Sequence, residues 1–483
     1  MKYLFLSVLT LAVFLSAASA GNPGLKLIAT SKAINDFSAN FLPSIVSQLG
    51  TVKIADTNVV GFKLTNIVIQ NLRISDQNIN VTLEEGKGIF ATQSFGLELK
   101  YYLEGKVLGL IPIHFNGGGS SSNSKLRLEF SFGRKGDSTQ IFIDKLQINV
   151  RNLQLQFPKD GLGDAITEIS KSITGPLEET ISTLISNALK GVIQKALNDA
   201  LNKIPPNIHI PHTPLSTNIQ GTQAPSINTN YMIGFVNGTL FNTKDGFSMP
   251  PIDPPASTSD FDFSSAVQAL VTEYTFNSGL YALWKSGMME MNVTKSILPE
   301  RDQGGFNVRA LKQLFPEVTK YFANENSEII VNIKLAKAPV AKIYPNIVAI
   351  EGDITLTCYV VSDGQKASKI ATIQSKLNLQ ANASIKEWIF EPQILEGSFR
   401  DFSVLSSNIG SFDATKAQTE ANKLVESAIS EFNAAKLKIP LPKIEGLDLS
   451  SLYIVIQDGY IRVEADPKYT TTDMRILFPA DLF

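Results

Sequence analysis

The run Met249-Pro250-Pro251-Ile252-Asp253-Pro254-Pro255 lies near the middle of the chain that follows the first twenty residues. Proline cannot continue a helix interior or donate to a sheet ladder, so four prolines in six positions predict an extended, stiff connector. The sequence on its two sides repeats the same features in the same order. A proline-rich linker at residues 246–262 is therefore expected to join two similar halves.

Each half begins with an apolar stripe at helical spacing and carries a second, longer helical pattern further on. In the first half, the predicted inward positions are Phe37, Phe41 and Ile45 on the early helix and Ile181 and Ile185 on the pattern at 162–204. In the second half, they are Leu270 and Tyr274 on a stripe that starts at Val267, and Val425, Ile429 and Phe432 on a late helix. Pro176 is expected to break or kink the long helix of the first half.

Between these helices the period changes to two, which predicts antiparallel strands with one wet and one apolar face. The pattern is clear at 125–150 and again at 329–335, 354–361 and 373–383. A shift of phase between Val150 and Leu153 predicts a bulge. The glycine- and serine-rich run 117–122 predicts a flexible loop rather than a phosphate cradle, because no Gly-Lys-Ser/Thr follows it.

The N-terminus has the features of a signal peptide at residues 1–20. Lys2 precedes an apolar run from Leu4 to Leu15, and Ala18-Ser19-Ala20 is a small-residue cleavage site. The run is too short to span a bilayer. We therefore expect a secreted or luminal protein, and four sequons, at Asn80, Asn237, Asn292 and Asn382, predict glycosylation.

Catalytic signatures are weak in this sequence. Pro211 prevents His209 and His212 from sharing one helix face as a metal pair, and no Gly-x-Ser-x-Gly elbow is present. The single cysteine, Cys358, alternates with apolar residues and is expected to be buried. We predict no enzyme activity, no cofactor and no metal, and the net charge of −2 opposes a nucleic-acid partner.

The apolar helices allow two interpretations that periodicity cannot separate. They either seal against the sheets as ordinary core, or they stand off the sheets and leave a long apolar cavity. A resemblance favours the second interpretation. It is carried by Asn22-Pro23-Gly24, the proline-rich linker, Phe276-Asn277-Ser278-Gly279-Leu280-Tyr281, Leu314-Phe315-Pro316-Glu317-Val318, Ser407-Asn408-Ile409-Gly410 and Ile439-Pro440-Leu441-Pro442.

These segments, in this order, resemble the family of bactericidal/permeability-increasing protein, lipopolysaccharide-binding protein and the lipid transfer proteins. The resemblance implies an α+β fold: an elongated boomerang of two pseudo-symmetric lobes, each a twisted antiparallel β-barrel with long amphipathic helices, joined by a central sheet. The expected domains are an N-terminal lobe at 21–245 and a C-terminal lobe at 263–483. One apolar lipid pocket per lobe is implied, and the ten residues named above become candidates for lining the two pockets.

The resemblance implies a secreted monomer that holds phospholipid-like acyl chains and transfers or presents lipids, with transient contact to membrane surfaces. An alternative is an innate-defence protein that binds lipopolysaccharide or other bacterial envelope lipids. Two departures bear on that alternative. The family's disulfide in the first lobe cannot form with one cysteine, and the region 100–106 carries only Lys100 and Lys106 as cations, with Glu104 between them.

Overall fold

The computed structural model describes residues 22–47, 51–74, 79–107, 111–135, 138–156, 163–202, 205–210, 213–254, 263–297, 303–361, 367–387, 389–440, 443–445, 447–448, 451–469 and 475–477. Within helices, the side chains of residues 41–47, 163–172 and 200 are outside this description. The predicted signal peptide at 1–20 also lies outside it. No helix in the described ranges is long and apolar enough to cross a membrane.

The first half of the chain contains two helices and fourteen strands in the described residues. The helices are α1 (Ser31–Ser47) and α2 (Gly163–Leu201). The strands are β1 (Leu25–Thr30), β2 (Val52–Lys53), β3 (Thr57–Val59), β4 (Phe62–Ile74), β5 (Ile79–Glu84), β6 (Lys87–Val107), β7 (Ile111–Lys135), β8 (Ser138–Asn149), β9 (Gln154–Gln156), β10 (Asn207–His209), β11 (Leu215–Asn218), β12 (Gly221–Ile227), β13 (Tyr231–Val236) and β14 (Leu240–Asn242).

The second half repeats a mixture of helices and long strands. The helices are α3 (Glu273–Lys285), α4 (Val308–Leu311), α5 (Val318–Tyr321) and α6 (Ala414–Ala434). The strands are β15 (Val267–Thr272), β16 (Met291–Val293), β17 (Glu328–Leu335), β18 (Val340–Tyr344), β19 (Ile347–Val361), β20 (Ser368–Lys386), β21 (Ile389–Ser407), β22 (Ile439–Pro440), β23 (Lys443–Glu445), β24 (Leu447–Asp448), β25 (Tyr453–Gln457), β26 (Tyr460–Ala465), β27 (Lys468–Tyr469) and β28 (Arg475–Leu477). The strands and the late helix predicted from the sequence are confirmed.

Each lobe is built on one large antiparallel sheet. In the first lobe the strand order is β2-β4-β6-β7-β8, with β3 on β4, β5 on β6 and β9 on β7. In the second lobe the order is β16-β17-β19-β20-β21-β22, with β18 on β19. Helix α2 lies along β8 and helix α6 lies along β21. Each long helix therefore runs beside the last long strand of its sheet.

A six-stranded sheet joins the lobes, in the order β12-β13-β1-β15-β26-β25. Strand β1 pairs with β13 on one side and with β15 on the other. Residues 246–254 of the linker form neither helix nor strand, as the prolines predict. The α+β architecture of two lobes joined by a central sheet is confirmed, and the lobe boundaries at 245 and 263 stay a prediction.

Helix α2 closes the open edge of the first-lobe sheet through a row of polar side chains. We name the edge ladder the six residues at every fourth position whose side chains bond the backbone along β8 and just beyond it: Glu178, Ser182, Ser186, Lys190, Gln194 and Asn198. At one end the Leu153 N–H donates to Glu178 at 2.8 Å, and at the other Ile141 and Asn198 exchange two bonds of 2.8 and 2.9 Å. An exposed edge is thereby capped without another strand.

Three local predictions differ from the structure. A break of α2 at Pro176 is wrong, because the helix continues through this residue and the buried Ile173, Leu177 and Ile181 form one apolar stripe across it, whereas a kink there stays a prediction. The run 117–122 is not a loop but part of β7, where Gly117 pairs with Tyr101. A methyl group on Gly117 would lie within 2.7 Å of the phenol ring, so glycine is needed for this close approach.

The predicted bulge after Val150 is instead the end of a strand. Strand β8 ends at Asn149, Asn152 has a φ of 51°, and β9 begins at Gln154. The left-handed conformation at an asparagine is the local cause of the change in phase, because asparagine tolerates it better than most residues.

Candidate functional site

Three of the five first-lobe residues predicted to bind lipid have described side chains, and all three are buried. Ile181 and Ile185 on α2 are 0% exposed and belong to the main hydrophobic cluster of that lobe. Phe37 on α1 is also buried, at 6% exposed. The side chains of Phe41 and Ile45 lie outside the described residues. In this lobe the described part of the helix stripe is sealed against the sheet.

The second-lobe residues on α6 are only half-buried. Val425, Ile429 and Phe432 share one side of the helix, while the neighbouring Leu424 is 41% exposed. A methyl group on Gly397 of β21 would lie 2.8 Å from the Val425 Cγ1 and 2.8 Å from the Ile429 Cδ1. The predicted helix positions therefore face the sheet, and glycine at 397 lets the helix approach it closely.

Strand register places further apolar residues beneath α6. Ile350 pairs with Leu379, which pairs with Gly397, and Val348 pairs with Ala381, which pairs with Ile394. We call the resulting surface the α6 face; its members, all half-buried, are Val348, Ile350, Leu379, Ala381, Ile394, Phe399, Val425, Ile429 and Phe432. At its borders, Val348 packs against the cluster of Ile343, Ile456 and Ile461, and Phe399 packs against the closed core at the other end of the sheet. The sheet members were missed from sequence, although the alternation of Leu377, Leu379, Ala381, Ala383 and Ile385 was a signal for them.

The other end of the same sheet is closed. Ile354, Cys358 and Ile373 are buried there against Phe315, which precedes α5, and Val308 of α4. Two short helices thus complete an ordinary core at one end of the lobe. At the other end α6 lies over apolar side chains that remain partly accessible. The α6 face is therefore the best candidate for an apolar ligand site among the described residues.

Leu270 and Tyr274 lie elsewhere, at the junction of the lobes. The helix predicted through Leu270 is wrong, because residues 267–272 form β15 and α3 begins at Glu273. Leu270 packs with Ile28, Ile233 and Tyr460 on one face of the central sheet.

Tyr274 stands at the start of α3. Its hydroxyl lies 2.7 Å from the Thr239 Oγ1, and burial raises the pKa of this tyrosine. The eight predicted residues whose side chains are described thus occupy three places, and the role of all ten in lipid binding stays a prediction.

The four sequons differ in accessibility. Asn80 and Asn292 are exposed and Asn382 is half-buried, so their side chains lie at or near the surface. Asn237 is 3% exposed, and its Nδ2 donates to the Met249 Sδ at 3.5 Å. A glycan at Asn237 would displace Met249 of the linker, so this sequon is the least suited to modification. Glycosylation at all four stays a prediction.

Two features bear on reactive chemistry. The described residues contain no group of three or more His, Cys, Asp or Glu side chains placed to hold a metal ion. Burial raises the pKa of the Cys358 thiol to about 12, which leaves almost no thiolate to act as a nucleophile near neutral pH. The apolar α6 face has the chemistry of a binding surface rather than of a reaction centre.

Comparison with known proteins agrees with this geometry. A model of the LBP / BPI / CETP family, C-terminal domain, matches residues 209–469. A bactericidal permeability-increasing protein of Sebastes schlegelii is 20% identical over 472 residues, which cover 93% of this chain and 96% of that protein. A lipopolysaccharide-binding protein of Bos taurus is 20% identical over 498 residues, covering 97% of each. The crystal structure of lipopolysaccharide binding protein has the same fold, with a TM-score of 0.50 at 15% identity over 93% of this chain and 99% of that one.

Proposed function

Because this chain belongs to the LBP / BPI / CETP family, we propose that it is a secreted lipid-binding protein that holds phospholipid-like acyl chains against the α6 face. The observation that carries the proposal is the contrast between the two ends of the second-lobe sheet. One end is packed into a buried core, whereas the apolar side chains under α6 are half-buried. An acyl chain that covered them would complete the burial.

The energetics of such binding favour exchange rather than storage. Burial of about sixteen methylenes gains on the order of 13 kcal/mol relative to water, at roughly 0.8 kcal/mol for each CH₂. Relative to a bilayer the gain is close to zero, because the chain was already removed from water. The free energy of the lipid is therefore nearly the same in such a protein and in a membrane. A protein of this kind carries or presents lipid through transient contact with the membrane surface.

The test is native mass spectrometry of the full chain secreted from its host, followed by extraction and identification of lipid. We expect one lipid on the second lobe, and a second if the first-lobe candidates Phe37, Phe41, Ile45, Ile181 and Ile185 also receive one. Ile429→Asp places a charge on the α6 face and should lose the second-lobe lipid. The matched control, Leu424→Asp, changes the exposed neighbour and should retain it.

An apo mass for the unmodified chain, with no uptake from phosphatidylcholine vesicles, would overturn the proposal. So would an equal lipid load on the two variants, both checked for native circular dichroism. These outcomes would mean that α6 closes an ordinary core in solution.

A second candidate function is the recognition of bacterial envelope lipids. It is favoured by the names of the two relatives, which align with nearly the whole chain. Binding through a charged headgroup would weaken steeply as salt rises, whereas binding through acyl burial would not. Titration of lipopolysaccharide and of phosphatidylcholine vesicles at low and high ionic strength separates the two functions.

A further inference from the structure

A cleft of about 710 Å³ lies on the first lobe, where α2 passes the end of β8. Its sheet side carries Lys125 and Arg127 of β7 and Arg151, which follows β8. Its helix side carries Glu178 and Glu179 of α2. The volume is typical of small-ligand sites, which measure roughly 300–1,000 Å³. The cleft is separate from the α6 face, which belongs to the second lobe.

The backbone of Arg151 is fixed by buried serines. Its N–H donates to the Ser124 Oγ at 3.2 Å, and its carbonyl accepts from the Ser121 Oγ at 2.6 Å. Both serines are buried, and their hydroxyls lie 2.7 Å apart. Two residues later, the Leu153 N–H donates to Glu178 at 2.8 Å. These bonds fix the position of the Arg151 backbone. The Arg151 side chain therefore starts from a defined point on the sheet side of the cleft, close to helix α2.

The two sides of the cleft carry opposite charge. On the sheet side, Lys125 and Arg151 make no ion pair within the described part of the chain, whereas Arg127 is held 3.1 Å from Glu129. On the helix side, Glu179 likewise has no cationic partner among the residues that the structure describes. The carboxylate of Glu178 already accepts a backbone bond, so Glu179 is the acidic group left to meet a ligand.

We propose that this cleft binds a zwitterionic headgroup that combines a phosphate with an ammonium group, as in phosphocholine. The phosphate would face Lys125 and Arg151, because guanidinium and ammonium groups are the usual partners of phosphate oxygens. The ammonium group would face Glu179. A simple anion would meet the two carboxylates and a simple cation would meet the basic side, so the opposed charges select a dipolar ligand.

This inference rests on the proposed lipid function and adds a headgroup class and a site to it. The cleft lies at the seam between α2 and the sheet, and it borders the apolar core of the first lobe at Leu126, Ile148 and Val150. A lipid could therefore be recognised by its headgroup at the first lobe independently of an acyl chain at the α6 face.

The test is calorimetric titration of the full chain with three probes: free phosphocholine, dihexanoylphosphatidylcholine below its micelle concentration, and inorganic phosphate. Saturable binding of the two zwitterions, with inorganic phosphate at least about tenfold weaker, is expected. Equal affinity for the two zwitterions would assign recognition to the headgroup alone, and tighter binding of the short-chain lipid would identify a lipid-borne headgroup as the source. Equal binding of inorganic phosphate would overturn the proposal.

Substitutions locate the site. The double variant Lys125→Gln, Arg151→Gln should bind phosphocholine at least about tenfold more weakly, and Glu179→Gln should weaken phosphocholine without weakening inorganic phosphate. Lys145→Gln is the matched control, because Lys145 is an exposed cation of β8 outside the cleft, and it should bind as the unmodified chain does. Unchanged phosphocholine binding by the double variant would overturn the assignment.

Failure of this inference is distinguishable from failure of the proposed function. The uptake of a fluorescent acyl chain that Ile429→Asp abolishes reports on the α6 face, and this uptake should be the same for the double variant and the unmodified chain. Chain uptake with no phosphocholine binding would overturn only the headgroup cleft. Absence of chain uptake would overturn the function proposed for the α6 face, while the phosphocholine titration would still decide the cleft.

Discussion

The side-chain amide of Asn422 bonds the backbone of Phe399 in both directions. The Phe399 N–H donates to the Asn422 Oδ1 at 2.7 Å, and the Asn422 Nδ2 donates to the Phe399 carbonyl at 3.2 Å. Asn433 repeats the arrangement with Ile394, at 3.1 and 2.7 Å. These two asparagines attach α6 to the edge of β21 on either side of Val425 and Ile429. The second lobe thus uses two separated amides where the first lobe uses the edge ladder.

We predict that Asn422→Ala and Asn433→Ala each lower the free energy of unfolding by about 1–3 kcal/mol, because each leaves a partly buried N–H and C=O of β21 unpaired. Hydrogen exchange at Phe399 or Ile394 should rise selectively in the corresponding variant. Asn326→Ala, at an exposed turn, is the control and should be near neutral. Unchanged exchange at Phe399 in Asn422→Ala would contradict the role of these amides.

Substitution of Pro176 is expected to stabilise the protein, unlike the two asparagine substitutions. Proline inside a helix removes one backbone hydrogen bond and clashes with the preceding turn, at a cost of about 3 kcal/mol. Since α2 is continuous across this residue, Pro176→Ala should raise the free energy of unfolding by about 1–3 kcal/mol, measured by chemical denaturation. A loss of stability would show that the proline is required for the path of α2 along β8.

Tyr101 makes stability depend on alkaline pH. It is 2% exposed, its hydroxyl has no hydrogen-bond partner, and burial raises its pKa from 10.0 to about 12. The folded state therefore keeps a proton that the unfolded state loses, so its contribution is present below pH 10 and is lost as pH rises from about 10 to 12, by roughly 2–3 kcal/mol.

Tyr101→Phe should flatten this decline and raise stability near neutral pH by about 1 kcal/mol, because it removes an unpaired buried hydroxyl. Denaturant unfolding curves at a series of pH values from neutral to alkaline measure both effects. An unchanged alkaline slope in Tyr101→Phe would mean that other groups are responsible.

Cys358 is a built-in probe of the second-lobe core. It is buried, its pKa is raised to about 12, and it is the only cysteine of the sequence. We expect a thiol reagent to modify the native protein at least about a hundredfold more slowly than free cysteine, and to find one thiol per chain in denaturant. Rapid modification of the native chain would show that this end of the lobe opens readily.

The sequence predicted the strands and the two long helices well, because their faces differ in polarity. It failed at Leu270 because this apolar residue lies on the same side of β15 as Gln268 and Thr272 and interrupts their alternation with the apolar residues of the other side, Val267, Ala269 and Val271. It also missed the edge ladder. A polar residue at every fourth position of α2 was visible, but only the structure shows that a strand edge lies beside it.

The candidate site was predictable only on its helix side. Val425, Ile429 and Phe432 follow from helical spacing, whereas Ile394 and Phe399 depend on a register between β20 and β21 that contains shifts. Whether a stripe is sealed or open is a matter of tertiary packing. Ile185 and Ile429 have the same residue type and a similar helical context, yet one is fully buried and the other is half-buried.

The position of β1 in the central sheet has a consequence for biosynthesis. Residues 25–30 leave the ribosome long before their partners, which are residues 231–236 and 267–271. The strand must therefore wait with both edges unpaired until more than half of the chain has been made, and closure of so long a loop slows folding. Neither half expressed alone would contain the complete central sheet, so separately produced lobes should be prone to aggregation through the exposed edges.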